Sequence, residues 1–198
     1  MIVSADLHIH TTVSDGLNSP KEVVLAAFYK GLNVIAITDH DTFQGALMAQ
    51  RYVGGLDLLV IIGCEVSSVK GDVLLLCDSP INTPREIGEL IDVAHENNCL
   101  VIPAHPFDDQ RNSVGEDIYN YEWDAIEVYN GSSTEYANRM AQYAAKVMGL
   151  PGVGNSDAHS IDKIGIVYNN IEVEDLSIDD VFNSIRKNKV KIVVRKNS

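Results

Sequence analysis

Short apolar runs alternate along this chain with segments of helical periodicity, and most of the runs end in polar or ionisable residues. Residues 33–38 (Asn-Val-Ile-Ala-Ile-Thr) are apolar throughout their centre, the pattern of a strand covered on both faces. Comparable runs occupy residues 2–9, 56–64, 71–77, 99–104, 124–129, 164–173 and 190–194. Between the first two, Ser19, Pro20 and Glu22 mark a helix start. Val23, Val24, Ala27 and Phe28 form its apolar stripe, and Gly31 closes it. Asp41 followed by Gln44 reads as the capped start of a second helix that runs to Tyr52. Thr83-Pro84 opens a third, and two more are expected over residues 133–148 and 178–187, the last capped by Ser177. Such alternation predicts an α/β fold with a parallel sheet. Its even spacing over residues 1–198 predicts a single domain, with residues 195–198 fraying at the end.

The chain carries 15 Lys and Arg against 28 Asp and Glu, a net charge of −13. That disfavours broad nucleic-acid binding and an anionic membrane as partners. A small phosphorylated substrate stays compatible, because bound divalent ions make a pocket locally positive on an acidic protein. No run of 18 apolar residues indicates a transmembrane helix, and no basic segment followed by an apolar one opens the chain. Cys64, Cys77 and Cys99 are odd in number and lack CxxC spacing. The expectation is a reducing cytoplasm, no disulfide framework, no thiolate metal site, and three cysteines serving as small core residues.

Parallel α/β folds build their sites at the carboxyl ends of the strands. There the chain collects His8, His10, Asp15, His40, Glu65, His105, Asn130, Asp157 and His159, including five of its six histidines. His8 and His10 stand at i and i+2 of one strand, so both point to the same side. His95 lies inside a helix and is expected to be solvated or capping. A nitrogen and oxygen donor set without thiolate suits Zn²⁺, Mn²⁺ or Fe²⁺, with Mg²⁺ as a further option. Eight ionisable donors exceed the needs of one ion, so two or three divalent ions are expected, and Glu65 is suited to bridge a pair. Asp6 and Asp39, each one or two positions from a ligand histidine, read as carboxylates that orient an imidazole. Arg111, in the long polar and aromatic stretch 107–123, reads either as a bidentate phosphate binder or as a surface partner of Asp108 or Asp109. Asp39 and Arg111 are the candidate catalytic residues, and Arg139 is a weaker second arginine.

The series His8-x-His10, Asp15-Gly16, Thr38-Asp39-His40, Glu65, His105-Pro106 and Ser156-Asp157-Ala158-His159 resembles the motifs of the PHP family, named for polymerase and histidinol phosphatase. The resemblance implies a distorted (β/α)7 barrel with a cluster of up to three metals at the strand ends. It implies His8, His10 and Asp157 on one ion, Glu65 bridging to a second ion held by His105, and Asp15, His40 and His159 on a third. Many members carry a histidine where this chain has Asn130. The implied activity is hydrolysis of small phosphate monoesters, nucleotide-type substrates first and histidinol phosphate second, with a metal-bound hydroxide as nucleophile. An amidohydrolase-like C–N hydrolase and a non-catalytic metal-binding domain are the other readings. The resemblance also places the first strand beside the one that ends in Asp157.

Overall fold

The structure, a computed structural model, describes residues 1–195. Its strands are β1 (Ile2–Ile9), β2 (Val34–Ile37), β3 (Leu59–Ser68), β4 (Gly71–Cys77), β5 (Leu100–Pro103), β6 (Ile126–Asn130), β7 (Gly152–Asn155), β8 (Val167–Glu172) and β9 (Val190–Val194). Its α-helices are α1 (Pro20–Tyr29), α2 (Gln44–Gln50), α3 (Ile87–Glu96), α4 (Glu135–Met148) and α5 (Ile178–Arg186). A 3-10 turn spans Gly115–Asn120. Seven strands form one curled sheet in the order β5-β4-β3-β2-β1-β8-β9, and β6 pairs β7 separately.

The α/β character holds, but the sheet is mixed and does not close as a ladder. β1, β2 and β3 are parallel neighbours, as are β6 and β7. β3–β4, β4–β5, β1–β8 and β8–β9 are antiparallel. The connection from β3 to β4 is too short for a helical crossover, which forces a hairpin in place of another βα unit. β1 is flanked by β2 and β8, not by β7. It meets the end of β7 through one parallel bridge, Ile9 with Ala158, where His10 N donates to Ala158 O at 2.9 Å. Side chains close the rest of the gap. Leu7 N donates to Asn155 Oδ1 (3.2 Å), and on the other side His105 N donates to Glu127 Oε2 (2.7 Å).

Both faces of the parallel strands are buried, as their continuous apolar runs require. On β2, Val34 and Ala36 join one core with Leu7, Ile61, Leu76, Ile102 and Phe182, while Ile35 and Ile37 join a second with Val23, Val24, Ala46 and Val60. A third core packs α3 and α4 on the outer side of β3–β5.

Local signals mark the helix starts well at α1, α4 and α5. Ser19 makes a capping box with Glu22, and Thr134 and Ser177 accept from Ala137 N and Asp180 N. The cap expected at Asp41 is absent. Asp41 adopts φ 54°, its carboxylate accepts from Ser67 N at 2.9 Å, and α2 begins at Gln44 without a side-chain cap. Of the terminal stretch expected to fray, residues 196–198 lie outside the described residues. Arg195 is anchored instead: its backbone N donates to Ile166 O (2.8 Å) and its guanidinium lies 5.0 Å from the Tyr168 ring centre.

The cysteine reading needs correction. Cys64 is free and buried, but Cys77 and Cys99 form a disulfide. They flank the Leu76–Leu100 pair of the antiparallel β4–β5 ladder, which brings their Cα atoms to 4.4 Å. Partnership across a sheet cannot be read from spacing along the chain, and the cysteines therefore do not argue for a reducing compartment. Among the described residues, no helix is long and apolar enough to cross a membrane.

Candidate metal centre

The eight ionisable strand-end residues come together in three overlapping groups of possible metal donors. The first joins His8 and His10 of β1, Glu65 of β3 and Asp157 just past β7, all buried. His8 Nε2 lies 3.1 Å from Glu65 Oε2 and 3.3 Å from Asp157 Oδ1. His10 Nε2 lies 3.0 and 3.2 Å from the same two atoms, and the two Nε2 atoms are 3.2 Å apart. Donors about 2.0 Å from a tetrahedral centre are separated by about 3.3 Å. The second group places Asp15 against His10 (3.4 Å), His40 (3.3 Å) and His159 (3.2 Å). The third contains Glu65, Asp72 and His105, with Glu65 Oε1 3.0 Å from His105 Nε2. Glu65 thus belongs to two groups through different oxygens, and His10 to two through different ring nitrogens.

The cluster fits a cation on its own evidence. Among the described residues, two buried side-chain polar atoms lack a hydrogen-bond partner, His10 Nδ1 and Asp157 Oδ1, and both belong to it. Orphaned groups of that kind are costly unless something coordinates them. The backbone is bent to the same end: His105 (φ 32°) and Asp157 (φ 54°) sit at positive φ, a conformation that persists only where surrounding structure imposes it.

Electrostatics ties the groups together. Burial alone would lower the imidazole of His10, but the adjacent carboxylates of Asp157 and Glu65 push it up to about 9. His8 is raised well above its ordinary value against the same burial, by Asp157, Glu127 and Glu65. Burial would raise Glu65 and Asp157, yet the adjacent histidines hold both well below the usual carboxylate range. The sign for stability follows. With a chelator present, the His10 contribution is complete below its unfolded value of about 6.5 and is lost as pH rises through about 9. The carboxylate contributions are present above about pH 4 and are lost as pH falls. The chelated chain is expected to melt at its highest temperature between about pH 5 and 6.5 and at progressively lower temperatures toward pH 9.5. A melting temperature constant from pH 6 to 9.5 contradicts this charge arrangement.

Asp39 and Asp6 are placed differently from the expectation. The Asp39 carboxylate accepts from Thr11 N (2.7 Å), Thr11 Oγ1 (2.7 Å) and Ser14 Oγ (2.7 Å), and meets no imidazole. It fixes the loop that carries Asp15. A Cβ at residue 45 would collide with its Oδ2, so glycine is required where α2 passes. Asp6 accepts from Ser156 N (3.1 Å) and Gly165 N (2.9 Å), pinning the loop around Asp157 to β1. Arg111 reaches the centre, and its Nη2 donates to Asp157 Oδ2 rather than pairing with Asp108 or Asp109. Arg139 stays on the surface with Glu135, and His95 pairs with Asp124 at 3.1 Å away from the cluster.

Glu127 escaped the sequence reading. It is fully buried, and its carboxylate takes His8 Nδ1 (2.8 Å), His105 N (2.7 Å), Asn155 Nδ2 (2.9 Å) and Asn130 Nδ2 (3.0 Å). An acceptor on Nδ1 fixes the tautomer that presents the Nε2 lone pair of His8 to the cluster. A carboxylate within the otherwise apolar run 125–129 was the available signal. A groove of about 370 Å³ adjoins the centre through Arg111, lined also by Phe107, Asp109, Ser113 and Glu116.

A family model described as PHP-associated matches residues 135–190. A protein of Methanocaldococcus jannaschii described as uncharacterized is 29% identical over 140 residues, 65% of this chain and 82% of its own length. A 5'-3' exoribonuclease of Haemophilus influenzae is 43% identical over 63 residues, 32% of this chain and only 23% of that protein. Among solved structures, a two-domain protein from Bacteroides vulgatus containing a predicted PHP-like metal-dependent phosphoesterase superposes with a TM-score of 0.84 at 17% identity. That match covers 98% of this chain and 65% of the other.

Proposed function

From the premise that this chain belongs to the PHP family, we propose that it is a metal-dependent phosphoesterase acting on small, nucleotide-type phosphate esters. The observation that carries the reading is the sharing of Glu65 between two donor groups, with an arginine aimed at their edge. In this reading residues 1–198 act as one domain that holds two or three ions of Zn²⁺, Mn²⁺ or Fe²⁺. His8, His10, Glu65 and Asp157 would hold one, Asp15, His40 and His159 another, and Glu65 with His105 a third. Bound divalent ions there supply Lewis acidity, acidifying water and neutralising phosphoryl charge.

The chain's own residues do the rest. Glu127 and the backbone bond to His105 keep the imidazoles aimed inward. Arg111 exchanges its bond to Asp157 for the phosphoryl oxygens of the substrate, a bidentate contact that suits a guanidinium. Phe107 offers an apolar face to a base in the adjoining groove, while Asp109 and Glu116 on its rim repel a long polyanion. The exoribonuclease relative supports the nucleotide class, and the acidic chain and rim favour small substrates over polymers.

The test is inorganic phosphate release from nucleotides, nucleoside bisphosphates, short oligonucleotides and sugar phosphates with added Mn²⁺. The expected result is release from the nucleotide class, abolished by a chelator; no release from any phosphate ester overturns the reading. Arg111→Ala is expected to lower kcat/KM by about 10- to 100-fold, the scale of a lost charge-assisted contact, with Arg111→Lys recovering part of it. An unchanged kcat/KM in Arg111→Ala removes Arg111 from substrate binding.

A further inference from the structure

We infer that α4 is a docking surface and that its partner is a second copy of this chain, the two helices packing antiparallel about a two-fold axis. One face of α4 is committed to its own chain. Ala137, Ala141, Ala144 and Ala145 are buried. Asn138 clamps the end of β6, where Asn130 N donates to its Oδ1 at 2.9 Å and its Nδ2 donates to Asn130 O at 3.2 Å. Another face carries Tyr136, Met140, Tyr143 and Val147. At 3.6 residues per turn and 1.5 Å rise, these four lie within an arc of about 60° along about 16 Å of helix. Tyr136, Tyr143 and Val147 are 65%, 61% and 57% exposed, and Met140 is partly buried. Tyr119, on the 3-10 turn packed against α4, adds a further exposed ring. Single apolar residues on a surface are ordinary, but a continuous stripe at alternating spacings of four and three is the seam of a helix that packs on another helix. None of these residues belongs to the donor groups of the metal centre.

Charge identifies the partner. A chain of net charge −13 repels its own copy, so self-association needs a face where acids do not meet acids. The charged residues of α4 are one acid, Glu135, and two bases, Arg139 and Lys146. With Gln142 they form an exposed row along one edge of the stripe. Its ends carry opposite charge, and Arg139 already pairs with Glu135 at 3.6 Å. A two-fold axis that crosses the stripe between Met140 and Tyr143 lays the row against its own copy in reverse. Glu135 of each helix then faces Lys146 of the other, Arg139 faces Gln142, Tyr136 meets Val147 and Met140 meets Tyr143. The result is two reciprocal ion pairs without a like-charge contact, with the helix dipoles opposed. A parallel arrangement would set Glu135 against Glu135 and Lys146 against Lys146.

The experiment is analytical ultracentrifugation of the full chain over a dilution series. The parent is expected to sediment as two chains at the high end and to dissociate on dilution. Tyr143→Glu, which puts a carboxylate into the seam, is expected to sediment as one chain throughout, with the parent's circular dichroism; Tyr136→Glu serves if that variant does not fold. Glu135→Lys and Lys146→Glu are each expected to weaken association by about 10-fold, because each turns two symmetry-related attractions into repulsions. The double exchange, Glu135→Lys with Lys146→Glu, is expected to restore the parent's association. That recovery separates the antiparallel pairing from a merely structural effect of either substitution. The inference is overturned by a parent that stays a single chain at every concentration, including one held there by a different protein on this face. It is overturned equally by a folded Tyr143→Glu chain that associates like the parent, or by a double exchange that does not recover what the single ones lose.

Discussion

His10→Ala is expected to abolish phosphate release, by about 10³-fold or more, and to lower the ion content of the chain. His10 belongs to two of the three donor groups, facing Glu65 and Asp157 through Nε2 and Asp15 through Nδ1. Its ring stacks on His159 with centres 4.2 Å apart and lies 4.7 Å from His40. Removing it takes a ligand from one group and the packing partner from another. Lewis-acid stabilisation by a bound ion is worth several kcal/mol, and each 1.36 kcal/mol is tenfold in rate. Phosphate release and elemental analysis on the same preparation check the result. A His10→Ala chain as active as the parent would show that the chemistry lies elsewhere.

Glu127→Ala is expected to destabilise the chain by about 3–5 kcal/mol, the scale of removing one partner from a buried charged network. The carboxylate receives two side-chain amides, one backbone N–H and the His8 ring, all away from solvent. Alanine leaves His8 Nδ1, His105 N and Asn155 Nδ2 without this acceptor, while Asn130 Nδ2 keeps its bond to Asp157 Oδ2. Glu127→Gln keeps the volume but offers one oxygen where two are used, so a smaller loss is expected. Denaturant unfolding measures both. The loss should persist in the presence of a chelator, because these bonds do not depend on an ion. A Glu127→Ala chain within 1 kcal/mol of the parent would remove Glu127 as the anchor of the centre.

Much of the site was legible in the sequence because its signals are local. His8 and His10 are two residues apart on a strand, and period-two geometry alone sends them to one side. The same holds for Ser19 with Glu22, and for Ser177 with Asp180, where a cap acts within one turn. What was misplaced or missed depends on partners distant along the chain. Asp39 lies beside His40 but turns to Thr11 and Ser14, because the loop after β1 crosses over β2 at that point. Cys77 and Cys99 pair because β4 and β5 are antiparallel neighbours, a fact of sheet order.

The sequence by itself determined the kinds of donor, their places at strand ends and the elements that carry them, since apolar period and capping chemistry act over a few residues. The tertiary structure alone decided which donors share a centre. His8, Glu65, His105, Glu127 and Asp157 come from five separate segments, and only the curl of the sheet and the seating of β6–β7 against it bring them within hydrogen-bond reach. Burial then supplies the final term. Away from water, imidazole and carboxylate shift each other's charge strongly, and no residue's role there is fixed until its neighbours are.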